Sequence, residues 1–125
     1  MKEVLAKEMY REHIIDHYRY PHNFGKLVRP DKEHNEFNPL CGDKLTIQLL
    51  LKENIISDIR FSGSGCAISI AAASLLTDKI RNMNVEDVKM LGANDLLELL
   101  KIPISQVRLK CALLSLETLQ GALMK

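Results

Sequence analysis

Apolar and polar residues alternate along this chain with two periods, and the change from one to the other marks out its elements. Over residues 3–19, Val4, Leu5, Met9, Tyr10, His13, Ile14 and His17 recur at steps of three and four, which predicts an amphipathic helix. Tyr20-Pro21-His22-Asn23-Phe24-Gly25 ends it, because Pro21 disfavours helical geometry in the residue before it and Gly25 tolerates a turn. Residues 26–40 are polar and close on Asn38-Pro39, which predicts a short strand and then an exposed loop. The charge run Asp31 to Glu36 reads as solvated loop. From Lys44 to Leu51 the period becomes two, with Leu45, Ile47 and Leu49 between Lys44, Thr46 and Gln48. After Lys52-Glu53-Asn54 the run Ile55 to Phe61 resumes it, so an antiparallel hairpin is expected, its second strand ending at Ser62-Gly63.

The helical period returns from Cys66 to Asn82 in an Ala-rich segment whose small residues allow another backbone to approach closely. Asn84 suits the cap of a short helix through Leu91 that Gly92 ends, and Asn94 to Lys101 forms a third short piece. Pro103 breaks the chain again. From Ser105 onward Leu109, Leu113, Leu116 and Leu123 form a core stripe, with Cys111 to one side of it near the start of the helix. No internal repeat or low-complexity segment is evident.

A chain of 125 residues with 46% hydrophobic and 26% charged content is expected to fold as one domain with its own core. Because there is no Trp, that core must be built from Leu, Ile and Ala. The net charge of +1, with both signs interspersed, argues against a nucleic-acid backbone or an anionic membrane as main partner. Neither a secretory signal nor an apolar run long enough to cross a bilayer is found. With three widely spaced cysteines a disulfide framework is not expected, and a reducing cytoplasm is the natural compartment.

Those three cysteines carry the chemistry. Asn38-Pro39-Leu40-Cys41-Gly42-Asp43 puts a thiol and a carboxylate two residues apart in a loop entering the first hairpin strand. Cys66 follows the glycine-punctuated turn Ser62-Gly63-Ser64-Gly65, and Cys111 lies in the last helix. A hairpin brings its ends together, so Cys41, Asp43 and Cys66 should be neighbours in space. Three thiolates and one carboxylate, Cys41, Asp43, Cys66 and Cys111, make four ligands, and soft sulfur donors in that number select Zn(II) or an iron-sulfur cluster over Mg or Ca. A thiol in the first turn of a helix has its thiolate favoured by unpaired backbone N–H groups, which marks Cys66 as a ligand or nucleophile.

Plainer readings account for the other candidates. His13 and His17 have the spacing of a two-histidine zinc helix, but Ile14 stands where a metalloprotease has its glutamate. They read instead as one histidine at the core edge of the helix and one hydrogen-bonded at its end. Gly63 and Gly65 lack the further glycine and the Lys-Ser or Lys-Thr of a phosphate loop, so they read as a tight turn offering N–H groups to a thiolate or sulfide.

Several stretches together resemble the iron-sulfur cluster assembly scaffolds IscU, SufU and the NifU N-terminal domain. They are Asp16-His17-Tyr18 with Pro21, Asn23 and Gly25; Asn38 to Asp43; Gly65-Cys66-Ala67-Ile68-Ser69; and Val107 to Cys111. The resemblance covers nearly the whole of residues 1–125. It implies a single α+β domain with a three-stranded antiparallel sheet and helices packed on one face, a site of three cysteines and one aspartate, and a cysteine desulfurase as partner. Two departures stand out. Lys110 occupies the position of the histidine that precedes the third cysteine in IscU proteins, and Ile102 to Arg108 does not reproduce their Leu-Pro-Pro-Val-Lys element. The insertion that SufU proteins carry between the second and third cysteines is also absent.

The expected function is therefore assembly of a [2Fe-2S] cluster on Cys41, Asp43, Cys66 and Cys111 from iron and desulfurase-derived sulfur, with transfer to iron-sulfur acceptor or carrier proteins. Asp43, a harder and more weakly held ligand than a fourth thiolate, suits a cluster that must be released. The alternative is a SufU-like sulfurtransferase in which Zn(II) occupies the same four residues. A zinc-stabilised interaction domain without sulfur chemistry is a more distant reading, and whether the chain forms a homodimer stays open. Resemblance to IscU assigns persulfide receipt to Cys111, where cationic Lys110 would favour the thiolate; resemblance to SufU favours Cys41.

Overall fold

The computed structural model describes the backbone of residues 2–125 and the side chains from Met9 onward. Its elements are α1 (Lys2–Arg19), β1 (Lys32–Phe37), β2 (Lys44–Lys52), β3 (Ile55–Ser64), α2 (Ala67–Ile80), α3 (Val85–Lys89), α4 (Ala93–Leu100) and α5 (Gln106–Leu123). The strands form one antiparallel sheet in the order β1-β2-β3. Period-two alternation puts Leu45, Ile47 and Leu49 of β2 on the same face as Ile59 and Phe61 of β3, all buried beneath helices α2 and α5. The opposite face carries Thr46, Gln48 and Arg60. There the chain crosses from the edge of β3 toward β1, and Leu27 N–H donates to Gln48 Oε1 at 2.6 Å.

Helix α2 is the centre of the helical layer, in contact with α1, α4, α5 and β3. Its Ala71, Ala72, Ala73, Ser74 and Thr77 have no exposed surface, so the small residues do admit close neighbours on several sides. Ser74 and Thr77 stay satisfied there: Thr77 donates back to the Ala73 carbonyl at 2.8 Å, and Ser74 Oγ accepts from the His22 N–H at 2.8 Å. The turn after α1 is pinned to α2 by Asn23, which takes φ 62° and donates to Thr77 Oγ1 and Asp78, while Arg81 donates both to the Asn23 side-chain Oδ1 and to Asp58.

Five expectations need correction. The charge run Asp31 to Glu36 is mostly strand β1, not solvated loop: His34 and Glu36 alternate inward beneath α5, where His34 Nε2 meets Glu36 Oε1 at 2.7 Å, and the intervening residues face water. Strand β3 runs on through Ser62-Gly63-Ser64, and glycine is needed at Gly63 because its φ is 134° and a Cβ would overlap the Lys44 carbonyl. Gly92 does not end α3, which stops at Lys89, but caps the start of α4, its N–H donating to Asp95 at 2.8 Å. In α5, Leu109 and Leu113 are half-buried, and the core face is carried by Ala112, Ser115, Leu116, Leu119, Ala122 and Leu123; the helix rolls toward β1 and β2. In α1, Ile14 and His17 are buried while Met9 and Tyr10 are exposed; the expected Val4 and Leu5 lie outside the described side chains.

The β1–α5 contact generates a prediction. The His34 ring fills the space a Cβ at Gly121 would take, so helix and strand approach only because residue 121 is glycine. Gly121→Ala must displace a half-buried, hydrogen-bonded ring and is expected to destabilise the metal-free protein by about 1–3 kcal/mol, measured by denaturant unfolding.

Candidate metal centre

Two loops and one helix converge at the open end of the hairpin. Lys44 pairs with Ser64, so the residues just outside the pair, Asp43 before β2 and Gly65-Cys66 after β3, lie side by side as the hairpin argument requires. The loop before β2 holds its own shape. Asn38 N–H donates to the Asp43 carbonyl at 2.8 Å, Gly42 N–H to the Asn38 carbonyl at 2.8 Å, and Leu40 N–H to Asn38 Oδ1 at 3.0 Å. Gly42 sits at φ 76°, a conformation that disfavours any residue with a Cβ. Asn38 is thus the loop's frame, and the loop presents Cys41 outward and Asp43 inward.

Cys111, in the first turns of α5, is 4% exposed, and its Sγ lies 3.3 Å from Cys41 Sγ. Ligand atoms of Cys41, Asp43 and Cys111 all fall within 4.8 Å of one another, the one such group of three among the described residues. Cys66 is bound to this group through its main chain and through Ser69. Its N–H donates to Asp43 Oδ1 at 3.3 Å, and its Sγ lies 3.6 Å from Ser69 Oγ. It is the N-cap residue of α2 rather than a member of the first turn. Two soft thiols and a carboxylate within reach of one ion, with a third thiol one side chain away, form a donor set suited to Zn(II) or iron and not to Mg or Ca.

The electrostatics of the group follow from burial. Burial alone would push the Asp43 carboxyl up, but hydrogen bonds from the Ser69 hydroxyl, the Cys41 and Cys111 thiols and the Cys66 N–H outweigh it and hold the group below the ordinary carboxylate value. Cys111 goes the other way. Burial first, then its hydrogen bond with Cys41 and the nearby Cys66, Cys41 and Asp43, push its thiol up to about 12. The help expected from Lys110 does not reach it, because that side chain is exposed on the surface of α5. A bound cation would act in the opposite direction and favour the Cys111 thiolate.

Ser69 was not among the residues that composition and spacing singled out. It is fully buried, donates to Asp43 Oδ2, and lies 3.2 Å from the Cys111 carbonyl oxygen. The available signal was its place three residues after Cys66, which puts both on one side of the helix start. The histidines stand apart from this centre. His17 Nδ1 is 2.7 Å from Ser74 Oγ and its ring lies edge-on to His13 at 4.8 Å, so both serve the α1–α2 packing. Burial, then the neighbouring His22 and His13, keep His17 below the ordinary imidazole value. No described helix is long and apolar enough to cross a membrane.

The chain is similar in sequence and in fold to known proteins. The iron-sulfur cluster assembly scaffold protein IscU 1 of Archaeoglobus fulgidus is 31% identical over 115 residues, covering 92% of this chain and 74% of the relative. The zinc-dependent sulfurtransferase SufU of Bacillus subtilis (strain 168) is 31% identical over 134 aligned positions, covering 94% and 90%. A crystal structure described as a SUF-system iron-sulfur cluster assembly scaffold from Fervidobacterium islandicum AW-1 superposes with a TM-score of 0.75 at 26% identity, over 90% of this chain and 94% of that one. Residues 9–125 match the NifU-like N terminal domain, and the chain belongs to that family.

Proposed function

We propose that this protein is a scaffold on which a [2Fe-2S] cluster is assembled from iron and sulfur delivered by a cysteine desulfurase, and from which it passes to acceptor or carrier proteins. The observation that carries the reading is the convergence of Cys41, Asp43 and Cys111 within 4.8 Å, with Cys66 joined to Asp43 by its N–H. The cluster is cargo, and the chain's own residues set how it is held. Cys41, Cys66 and Cys111 supply thiolates; Asp43 supplies the one ligand that lets go readily. Once displaced by an acceptor thiol, the carboxylate remains beside it as the nearest base for its proton.

Sulfur entry divides between two thiols. Cys41 is exposed and flanked by Leu40 and Val107, 78% and 86% exposed, an apolar rim that suits contact with a protein donor. The Cys41 thiolate attacks the outer sulfur of the donor's persulfide; an S–S bond forms to Cys41, the donor's S–S bond breaks, and the donor cysteine leaves as thiolate. Cys111, 3.3 Å behind with its S–H directed at Cys41, then takes that outer sulfur: its proton passes to the Cys41 sulfur, the Cys41 S–S bond breaks and Cys41 leaves as thiol, so Cys111 is the holder of the persulfide while Cys41 is its point of entry. This assignment keeps Cys111 as acceptor although burial disfavours its direct encounter with a donor.

A sulfurtransferase reading is favoured by one observation, Lys110 standing where IscU proteins have histidine. In that reading the same four residues hold Zn(II) as a resident ion, which would order the loop and keep Cys41 and Cys111 deprotonated.

Anaerobic reconstitution with iron and a desulfurase is expected to give visible charge-transfer absorption with about two irons per cluster; a zinc ion that resists replacement would overturn the scaffold in favour of the sulfurtransferase. Asp43→Ala is expected to slow transfer of the reconstituted cluster to an acceptor about ten-fold, and an unchanged transfer rate would remove Asp43 from the ligand set. For sulfur entry, the metal-free protein is mixed with persulfide-charged desulfurase, alkylated, and mapped by peptide mass. Cys111→Ser should retain sulfur on Cys41, while Cys41→Ser should lose most loading of Cys111; undiminished loading of Cys111 in Cys41→Ser would show direct receipt.

A further inference from the structure

One hydroxyl touches three of the four candidate ligand residues. Ser69 has no exposed surface; its Oγ donates to Asp43 Oδ2, lies 3.2 Å from the Cys111 carbonyl oxygen and 3.6 Å from Cys66 Sγ. A serine has a single proton, so these acceptors compete for it, and the ionised carboxylate is the strongest of them. Asp43 itself is 4% exposed, and besides the Cys41 and Cys111 thiols its donors are the Cys66 N–H on Oδ1 and Ser69 on Oδ2. The latter two come from the start of α2, while the Cys41 and Cys111 sulfurs belong to other elements. Room for the pair is left by Gly65: a Cβ there would come within 3.1 Å of both Asp43 Cγ and Ser69 Cβ.

We propose that Ser69 is a positioning residue for Asp43: its hydroxyl fixes the plane of the buried carboxylate, leaving the remaining lone pairs for an ion or cluster held with Cys41 and Cys111. The inference rests on Asp43 being a ligand and adds the residue that sets how firmly that ligand holds. Water cannot replace the hydroxyl at a fully buried position without a new cavity, so loss of Ser69 leaves the carboxylate under-bonded and free to rotate. The release property assigned to Asp43 is then set by two side chains, one that binds and one that aims it.

The test uses Co(II) added to the metal-free full-length chain, because its visible d–d absorption reports the ligand set and a competing chelator reports affinity. Ser69→Ala is expected to weaken Co(II) binding about 10- to 100-fold and shift the d–d bands, with the far-UV circular dichroism of the metal-free protein unchanged. Asp43→Ala should also weaken binding, and Ser69→Ala should add nothing on the Asp43→Ala background, because a residue that acts through Asp43 has nothing left to aim. Ser69→Thr, which keeps the hydroxyl, should restore the wild-type spectrum and affinity. Wild-type binding by Ser69→Ala beside weakened Asp43→Ala would overturn the role of Ser69 and leave Asp43 a ligand. Wild-type binding and spectrum for Asp43→Ala would instead overturn the ligand reading on which it rests. An undiminished Ser69→Ala effect on the Asp43→Ala background, a Ser69→Thr as weak as Ser69→Ala, or loss of helical signal in metal-free Ser69→Ala would assign Ser69 to packing alone and overturn the inference.

Discussion

Antiparallel pairing of β2 with β3 is the constraint from which the site follows. With Lys44 opposite Ser64, the residues on either side of the hairpin's open end have no freedom to separate, and Asp43 is carried against the start of α2. Register matters in a stronger sense too, because a slip of one residue would turn Leu45, Ile47 and Leu49 out of the core and Thr46 and Gln48 into it. The burial that stabilises the sheet therefore also fixes the distance between the carboxylate and the Cys66 N–H. Gly63 and Gly65 are part of this constraint, since side chains there would meet the Lys44 carbonyl and the Asp43–Ser69 pair.

The site is built with its charges in tension. Hydrogen-bond donors hold the buried Asp43 carboxyl below the ordinary carboxylate value, while burial first, and then Cys41, Cys66 and Asp43, push the Cys111 thiol up. A divalent cation held between them would supply positive charge beside the carboxylate and would favour the Cys111 thiolate. In the proposed scaffold such an arrangement would favour loading, while a carboxylate ligand among thiolates would limit how tightly the load is kept. Exposure is graded across the same group, from exposed Cys41 through half-buried Cys66 to buried Cys111, which gives the thiols different access to a partner.

Away from the site, polar groups are used to join layers. The Asn23, Asp78, Arg81 and Asp58 network fastens the turn after α1 to α2 and β3, and the His34–Glu36 pair lets a charged strand lie under a helix. In both places half-buried polar groups meet specific partners. Alanines fill the interior of α2, so the helical layer comes close to the sheet without aromatic bulk.

The sequence by itself determined the hairpin, the helix positions to within a few residues, and the nearness of Asp43 to Cys66, because period-two and period-three-to-four patterns are local and a hairpin's closure is a geometric necessity. The motif Asn38 to Asp43 with Cys66 and Cys111 carried the family resemblance. Local pattern could not show that the Asp31 to Glu36 run is a strand, since its inward residues are His34 and Glu36 and it is Gly121, distant in sequence, that makes room for the His34 ring. Nor could it rank the thiols. Lys110 beside Cys111 suggested a favoured thiolate, but a charge adjacent in sequence to a helical residue lies around the helix from it, and burial against the other site residues governs instead. Ser69 was invisible for the same reason: a serine in a helix has no marked chemistry until packing sets it against Asp43, and that meeting of α2, the Cys41 loop and α5 is decided only by tertiary structure, which alone determines what each side chain is buried against.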